Sequence, residues 1–296
     1  MRELGVTMQV TKAVIPCGGM GTRFLPITKA VPKEILPIID TPALAYIVSE
    51  AVDSGITDIV IVLGKGKTAI KKYFTPCPAL EDTLMAAGKT ALWEIVKKTT
   101  TMANITFVRQ EKPLGSGDAV RKAQRFAGND PFALAWGDDV IYAETPVIGQ
   151  LAKAYEQTGT SILGVQKMDT DDIIKYGVVK EGKANGRLHE CLAVVEKPPL
   201  DQLPGRLASL GRYVLTPEVF AALKKLETGV GGEFQFTDAV DALAKKGRLY
   251  AYEFEGRRYD MGDKFGSAQA TVEYALRSRE FGEQMRLYLK ELGKTL

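Results

Sequence analysis

A β-branched apolar run that empties directly into clustered glycines constrains this chain more than any other feature. Lys12–Pro16 reads as a strand, and Cys17-Gly18-Gly19-Met20-Gly21-Thr22-Arg23 follows it with no spacer. Glycines carry no Cβ to hold backbone N–H groups away from an anion, so such a loop suits phosphate. Arg23 adds a planar fork that matches phosphate oxygens. Two better-known phosphate loops fail on spacing. A dinucleotide fingerprint starting at Gly19 needs glycine at position 24, where Phe24 stands. A Walker-type loop ending Gly66-Lys67-Thr68 needs glycine at position 61, where Ile61 stands, so Gly64–Thr68 reads as a strand-to-helix turn. Lys29 and the proline-flanked Pro32-Lys33-Glu34-Ile35-Leu36-Pro37 bring further positive charge beside the loop.

Apolar runs and helical periodicity alternate beyond the loop. A helix is expected over Pro42–Ser54 with Gly55 as its C-cap, and Asp58–Leu63 (DIVIVL) reads as a strand covered on both faces. Further strands are expected at Asn104–Gln110, Pro131–Trp136 and Ser161–Gln166, with helices at Thr68–Phe74, Asp118–Phe126 and Pro146–Gln157. Phe74–Leu80 and Glu81–Lys98 read as an insertion beside the site. This alternation predicts a doubly wound, mostly parallel, Rossmann-like α/β sheet. After about Met168 the pattern becomes strand-rich: Tyr176–Lys180, Leu188–Val195, Leu207–Leu215 and Leu249–Phe254, with helices at Pro217–Leu226 and Phe236–Lys245. One long amphipathic segment, Lys264 to Leu292, closes the chain. No linker separates these parts, so residues 1–296 are expected to form a single unit: about 8–168 in a nucleotide-binding part, about 169–262 in a smaller β region, and about 263–296 in C-terminal helix.

Composition narrows the chemistry. The single histidine, His189, lies in a strand-like stretch and reads as structural, so neither a histidine-rich zinc site nor a triad with a spare histidine is available. Cys17, Cys77 and Cys191 are odd in number and far apart, which fits a reducing cytoplasm and no disulfide framework. With 39 Lys+Arg against 36 Asp+Glu, the net charge of +3 gives no reason to expect a nucleic-acid or membrane partner. Met1–Val10 lacks the apolar core of a signal peptide, and no uncharged run is long enough to span a bilayer.

The segment GGMGTRFLPITKAVPKEILPIIDTP (residues 18–42) resembles the N-terminal signature of the bacterial sugar-1-phosphate nucleotidylyltransferases. The likeness continues in order through Val108-Arg109-Gln110, Trp136-Gly137-Asp138-Asp139, Tyr176-Gly177-Val178-Val179, Val195-Glu196-Lys197-Pro198 and Gly211–Leu215. Phe236-Thr237-Asp238-Ala239 and Asp260–Lys264 resemble the branch that uses UTP and glucose 1-phosphate. The resemblance implies in-line attack of the sugar phosphate on the α-phosphorus of the triphosphate, with Mg²⁺ held by Asp138 and Asp260. It also implies roles for individual residues. Arg23 and Lys33 would meet the triphosphate, with Cys17, Gly18, Gly19, Gly21, Thr22 and Glu34 around the nucleotide and Gln110 and Gly115 on the uracil edge. Glu196 would accept sugar hydroxyls, Lys197 would grip the sugar phosphate, and Tyr176, Gly177 and Gly211 would line the sugar pocket. Family members commonly form homodimers or homotetramers.

Asp139 is the alternative to Asp138 as metal ligand. The reaction needs no activated side-chain nucleophile, because a phosphate monoester, with a second pKa of about 6, is already ionised near neutrality. Two positions depart from the pattern: Cys17 stands where alanine is usual, and Gly117-Asp118-Ala119-Val120 replaces Gly-His-Ala-Val. Asp118 either adds negative charge beside the nucleotide or caps the following helix. The same chemistry on dTTP or galactose 1-phosphate, and a non-catalytic nucleotide-sugar-binding paralogue, remain the alternatives.

Overall fold

A computed structural model of the chain describes residues 9–228 and 232–295; of the N-terminal stretch Met1–Val10, residues 1–8 lie outside them. In chain order the elements are β1 (Lys12–Cys17), β2 (Pro37–Ile38), β3 (Thr41–Pro42), α1 (Ala43–Asp53), β4 (Asp58–Leu63), α2 (Thr68–Tyr73), α3 (Pro78–Ala86), α4 (Thr90–Thr101) and β5 (Asn104–Arg109). They continue with α5 (Ser116–Lys122), α6 (Gln124–Ala127), β6 (Phe132–Ala135), β7 (Asp139–Tyr142), α7 (Val147–Thr158) and β8 (Ser161–Lys167). The last part comprises β9 (Gly177–Asn185), β10 (Leu188–Glu196), β11 (Leu207–Leu215), α8 (Glu218–Lys224), α9 (Phe236–Ala244), β12 (Leu249–Glu253), β13 (Arg257–Asp260), α10 (Lys264–Arg277) and α11 (Gly282–Leu292).

Nine strands form one sheet in the order β5-β4-β1-β6-β11-β8-β12-β10-β9. The half carrying the glycine loop, β5-β4-β1-β6, is parallel throughout. Beyond it β11 runs antiparallel to β6, β8 and β9, while β8 and β12 pair in parallel. Period-two geometry divides the core between the two faces of the sheet. Ala13, Ile15, Ile59 and Ile61 enter one cluster, under α1 and α7; Val14, Val60, Val62, Phe132 and Leu134 enter the other, under α5, α8 and α9. All nine of these side chains are fully buried, and each apolar side chain of the larger kind contributes roughly 1.5–3 kcal/mol on leaving water. The layered core is therefore what fixes where each strand ends, and the site is built from those ends.

Several boundaries differ from the sequence pattern for identifiable reasons. The expected helix Asp118–Phe126 begins earlier, at Ser116, and is split at Ala123 into α5 and α6. The C-terminal segment breaks at Ser278, whose extended backbone separates α10 from α11. Two strands, β7 and β13, were not legible because each is only four residues long and β13 is mostly charged; they pair antiparallel apart from the main sheet. The helix expected at Thr68–Phe74 is α2, and the insertion forms α3 and most of α4. No residue of 74–98 lines the two cavities described below, so it does not border the site as expected. Among the described residues, no helix is long and apolar enough to cross a membrane.

Candidate active site

The glycine loop lies at the C-terminal edge of the parallel strands, where α/β sheets present ligands. Gly64, at the end of β4, packs against it so closely that a Cβ there would lie 2.8 Å from the Gly18 carbonyl oxygen. The Gly64 N–H donates to the Cys17 carbonyl at 3.2 Å, locking the two strand ends together. Gly21 takes a left-handed conformation (φ 69°) and starts the single turn that carries Arg23 out into the cleft. A Cβ at Gly21 would lie 3.1 Å from Thr28 Cγ2 and 3.2 Å from Lys33 Cβ, so the loop closes tightly over the base of the Lys33 side chain.

Asp138 follows β6 and pairs through its carboxylate with the Lys33 ammonium. Burial alone would raise the Asp138 pKa, but the Lys33 charge and hydrogen bond outweigh it and hold the carboxyl below its ordinary value. Burial would likewise lower Lys33, and Asp138 overrides it and raises the ammonium above its ordinary value. Both groups are therefore charged near neutrality.

Asp260 ends a short strand of its own, β13, directly opposite Asp139 in register. The Met261 N–H donates to the Asp138 carbonyl at 2.9 Å, which draws the two carboxylates together. Gly262 marks the meeting point: a Cβ there would lie 2.9 Å from Asp138 Oδ2, 3.0 Å from Asp260 Oδ1 and 3.1 Å from Arg23 Nη2. Residues 115 or more positions apart in sequence thus converge around one glycine.

Two cavities share this region. The smaller, about 260 Å³, is bounded by Gly18, Gly19, Glu34, Gln110 and Gly115. The larger, about 900 Å³, is bounded by Tyr176, Gly177, Glu196, Lys197, Gly211 and Asp260, with Arg23 at its margin. Gly19, Lys33, Trp136 and Asp138 line both, so the cavities are continuous at the Lys33–Asp138 pair. Gly211 (φ 77°) abuts the Asp139 carboxylate, a position where any side chain would collide. Thr237 donates to Glu196 Oε2 at 2.5 Å and fixes that carboxylate at the cavity wall.

Three expected nucleotide contacts are not brought to either cavity: Cys17, Gly21 and Thr22 line neither. Cys17 is buried with its Sγ against Gly137, and burial, with Glu34 adding to it, pushes its thiol well above the ordinary value, so it is no nucleophile. Glu34 lines the smaller cavity, but both its oxygens take hydrogen bonds from Lys67 Nζ, at 2.9 and 2.7 Å. Its carboxylate is thus committed beneath the loop rather than offered to a ligand. Lys67 was missed because its Gly64–Thr68 context reads only as a turn, which is what it forms. Asp118 is not an N-cap either. It lies inside α5, 1 % exposed, and pairs with Gln110 and Arg121.

Arg258 is the other residue that the sequence pattern did not single out. It pairs with Asp139, lies 3.4 Å from Asp260 Oδ2, donates to the Tyr176 hydroxyl at 2.9 Å and stacks on that ring at 4.7 Å. An arginine within a short charged strand next to Asp260 was the available signal. Asp139, the alternative metal ligand, lines the larger cavity together with Asp138 and Asp260, and all three carry a cationic partner: Arg258 for Asp139 and Asp260, Lys33 for Asp138. Among the described residues, no three potential metal-ligating side chains form a self-sufficient metal cage.

The sequence profile of the nucleotidyl transferase family matches residues 12–275. The chain belongs to that family. It is 47 % identical over 284 residues to a UTP–glucose-1-phosphate uridylyltransferase of Bacillus subtilis, covering 96 % of this chain and 97 % of that protein. Its fold matches a UTP-bound UGPase from Acinetobacter baumannii with a TM-score of 0.88 at 30 % identity, over 96 % of this chain and 99 % of the other. A UDP-glucose pyrophosphorylase complexed with UDP-glucose matches with a TM-score of 0.82 at 34 % identity, over 91 % of this chain and all of the other.

Proposed function

We propose that this protein transfers a uridylyl group from UTP to α-D-glucose 1-phosphate, giving UDP-glucose and pyrophosphate. The observation that carries the reading is the convergence of Arg23, Asp138 and Asp260 around Gly262, with Asp138 also belonging to the Lys33–Asp138 pair at which the two cavities are continuous. In this reading the smaller cavity takes the uridine, the larger takes the sugar phosphate, and the α-phosphorus sits between them. Residues up to about 168 form mainly the nucleotide part and those of about 169–262 the sugar part.

The sugar phosphate is already an oxyanion near neutral pH, so the protein supplies placement and charge rather than a base. Lys33 and Arg23 neutralise the triphosphate and orient the departing pyrophosphate. Lys197, at the mouth of the larger cavity, holds the sugar phosphate in line, and Glu196, fixed by Thr237, accepts sugar hydroxyls. Arg258 keeps Tyr176 and Asp139 in place and lies 3.4 Å from Asp260, which lines the cleft with Asp138. These two carboxylates fit Mg²⁺, which takes one or two protein carboxylates and completes its shell with phosphate oxygens and water. When bound there, the ion supplies charge stabilisation to the phosphates as they transfer.

Pyrophosphate release, measured with glucose 1-phosphate, Mg²⁺ and each of UTP, dTTP, CTP, ATP and GTP, tests the reading. UTP is expected to give the highest kcat/KM. Tight UDP-glucose binding with no turnover of any triphosphate would replace it with a regulatory, binding-only role.

A further inference from the structure

Behind the smaller cavity a polar relay stands where the resembling family usually carries histidine. Gln110 directly follows the edge strand β5, its N–H donating to the Leu63 carbonyl at 2.8 Å, and its residue is only 4 % exposed. Its Nε2 lies 3.0 Å from Asp118 Oδ2 and 3.1 Å from the Gly115 carbonyl oxygen. A carbonyl and a carboxylate only accept, so both amide hydrogens are taken up and the amide cannot flip without placing oxygen against oxygen. The Gln110 Oε1 therefore points the other way, toward Gly18, where a Cβ would lie 2.6 Å from it, at the wall of the cavity. Asp118 is held in turn. Its Oδ1 accepts from Arg121 Nη2 at 2.7 Å, and the Arg121 guanidinium sits over the Phe234 ring at 5.2 Å.

We propose that Asp118 is a positioning residue that fixes Gln110 as a hydrogen-bond acceptor toward the base, so that the pocket selects a base presenting a ring N–H over one presenting a bare ring nitrogen. Uracil and thymine carry that N–H; cytosine does not. The inference rests on reading this cavity as the base end of a nucleotide site. An imidazole in place of Asp118 could offer either a donor or an acceptor to Gln110, whereas the carboxylate offers only acceptors and sets one orientation. Selectivity is large when the wrong partner leaves a buried polar group unpaired, and a cytosine ring nitrogen facing Gln110 Oε1 does that.

The test is equilibrium binding of UTP and CTP to the full chain and to Asp118→Asn, whose amide can present either polarity to Gln110. The wild type is expected to prefer UTP, and the UTP-over-CTP preference should fall about tenfold or more in the variant; in kinetics the loss should appear in KM for the nucleotide rather than in kcat. A folded Asp118→Asn with an unchanged preference overturns the proposal. Should that variant fail to fold, N3-methyluridine 5′-triphosphate on the wild type decides: competition about tenfold or more weaker than that of UTP supports the acceptor orientation, and equal competition overturns it. Wild-type protein that binds UTP selectively without turning it over sinks the uridylyl-transfer reading alone, while active protein whose preference does not move in Asp118→Asn sinks this inference alone.

Discussion

The two halves of the sheet build their shares of the cleft by different means. In the parallel half, the cavity-lining groups sit on the turns that leave β1, β5 and β6, namely the glycine loop, Gln110 and Asp138, with Gly64 after β4 packed behind the loop. Their floor is secured by the buried Glu34–Lys67 pair, with the two side chains 1 % and 6 % exposed. In the other half, Gly177, Glu196 and Gly211 lie within strands, and Asp260 reaches the cleft only through its register with Asp139. Strand-end turns give one half a backbone cradle; cross-strand register gives the other a wall of side chains. The first should fail by losing structure when its floor is disturbed, and the second by losing affinity while the fold stands.

Asp138 joins the halves, and its removal should have the largest effect. Asp138→Asn should cut turnover by about 10²–10³-fold or more, the scale of losing one preorganised electrostatic group, while circular dichroism is unchanged and the thermal midpoint falls because Lys33 loses its charged partner. The Lys33–Asp138 pair also sets a pH expectation. A carboxyl held below its unfolded value of 3.8 adds stability above that value and loses it only as pH falls through the lower folded value. An ammonium raised above 10.5 keeps its contribution below that value and loses it as pH rises through the folded value. Between those limits the pair stays charged, so an acid limb of activity near pH 6 should follow the second ionisation of the sugar phosphate. A rate near that of the wild type for Asp138→Asn at ordinary Mg²⁺ would falsify the assignment.

The same contrast explains what could be read from the sequence. Lys12–Pro16, DIVIVL and the glycines were legible because a strand buried on both faces writes a continuous apolar run, and a tight turn at its end needs glycine. The position of Asp138 followed from the end of such a run. Asp260 was identified by resemblance but its support was not, because β13 is a short strand of charged residues whose partner, β7, lies far away in sequence. Arg258 left only the faint signal of a charged residue beside Asp260, and Lys67 none beyond a turn, because the partners that define their roles lie 119 and 33 residues away. Glu34 misled for the same reason, since the sequence places it beside Lys33 but cannot show that its carboxylate turns inward to Lys67.

Lys67→Met tests the floor of the parallel half. It leaves the Glu34 carboxylate buried without its partner, which costs about 3–5 kcal/mol of stability. Adding Glu34→Leu should recover much of that loss, because an apolar pair of similar volume avoids the desolvation penalty. Lys245→Met, which breaks the exposed Lys245–Asp241 pair on α9, should cost no more than about 1 kcal/mol. Urea denaturation of the four proteins, wild type included, gives the comparison; equal losses for Lys67→Met and Lys245→Met would show that the floor is no more demanding than a surface pair.

Lys197→Gly tests the other half, with the opposite sign on stability. Lys197 holds a left-handed backbone (φ 45°) just beyond β10, a conformation that costs a side-chain-bearing residue about 1–2 kcal/mol. Its ammonium lies 3.6 Å from Glu196 Oε1, and its side chain is 64 % exposed, so truncation gives up little stabilising contact. Glycine removes the strain but adds about 0.5–1 kcal/mol of its own chain entropy, leaving a gain of a few tenths to about 1 kcal/mol. The same change removes the cation expected to hold the sugar phosphate, so KM for glucose 1-phosphate should rise about tenfold or more. Lys197→Ala separates the two effects, because it loses the cation and keeps the strain: it should match Lys197→Gly in KM and fall below it in thermal midpoint. If Lys197→Gly proves less stable than Lys197→Ala, this backbone is not strained, and the wall of the sugar side rests on more than side-chain placement.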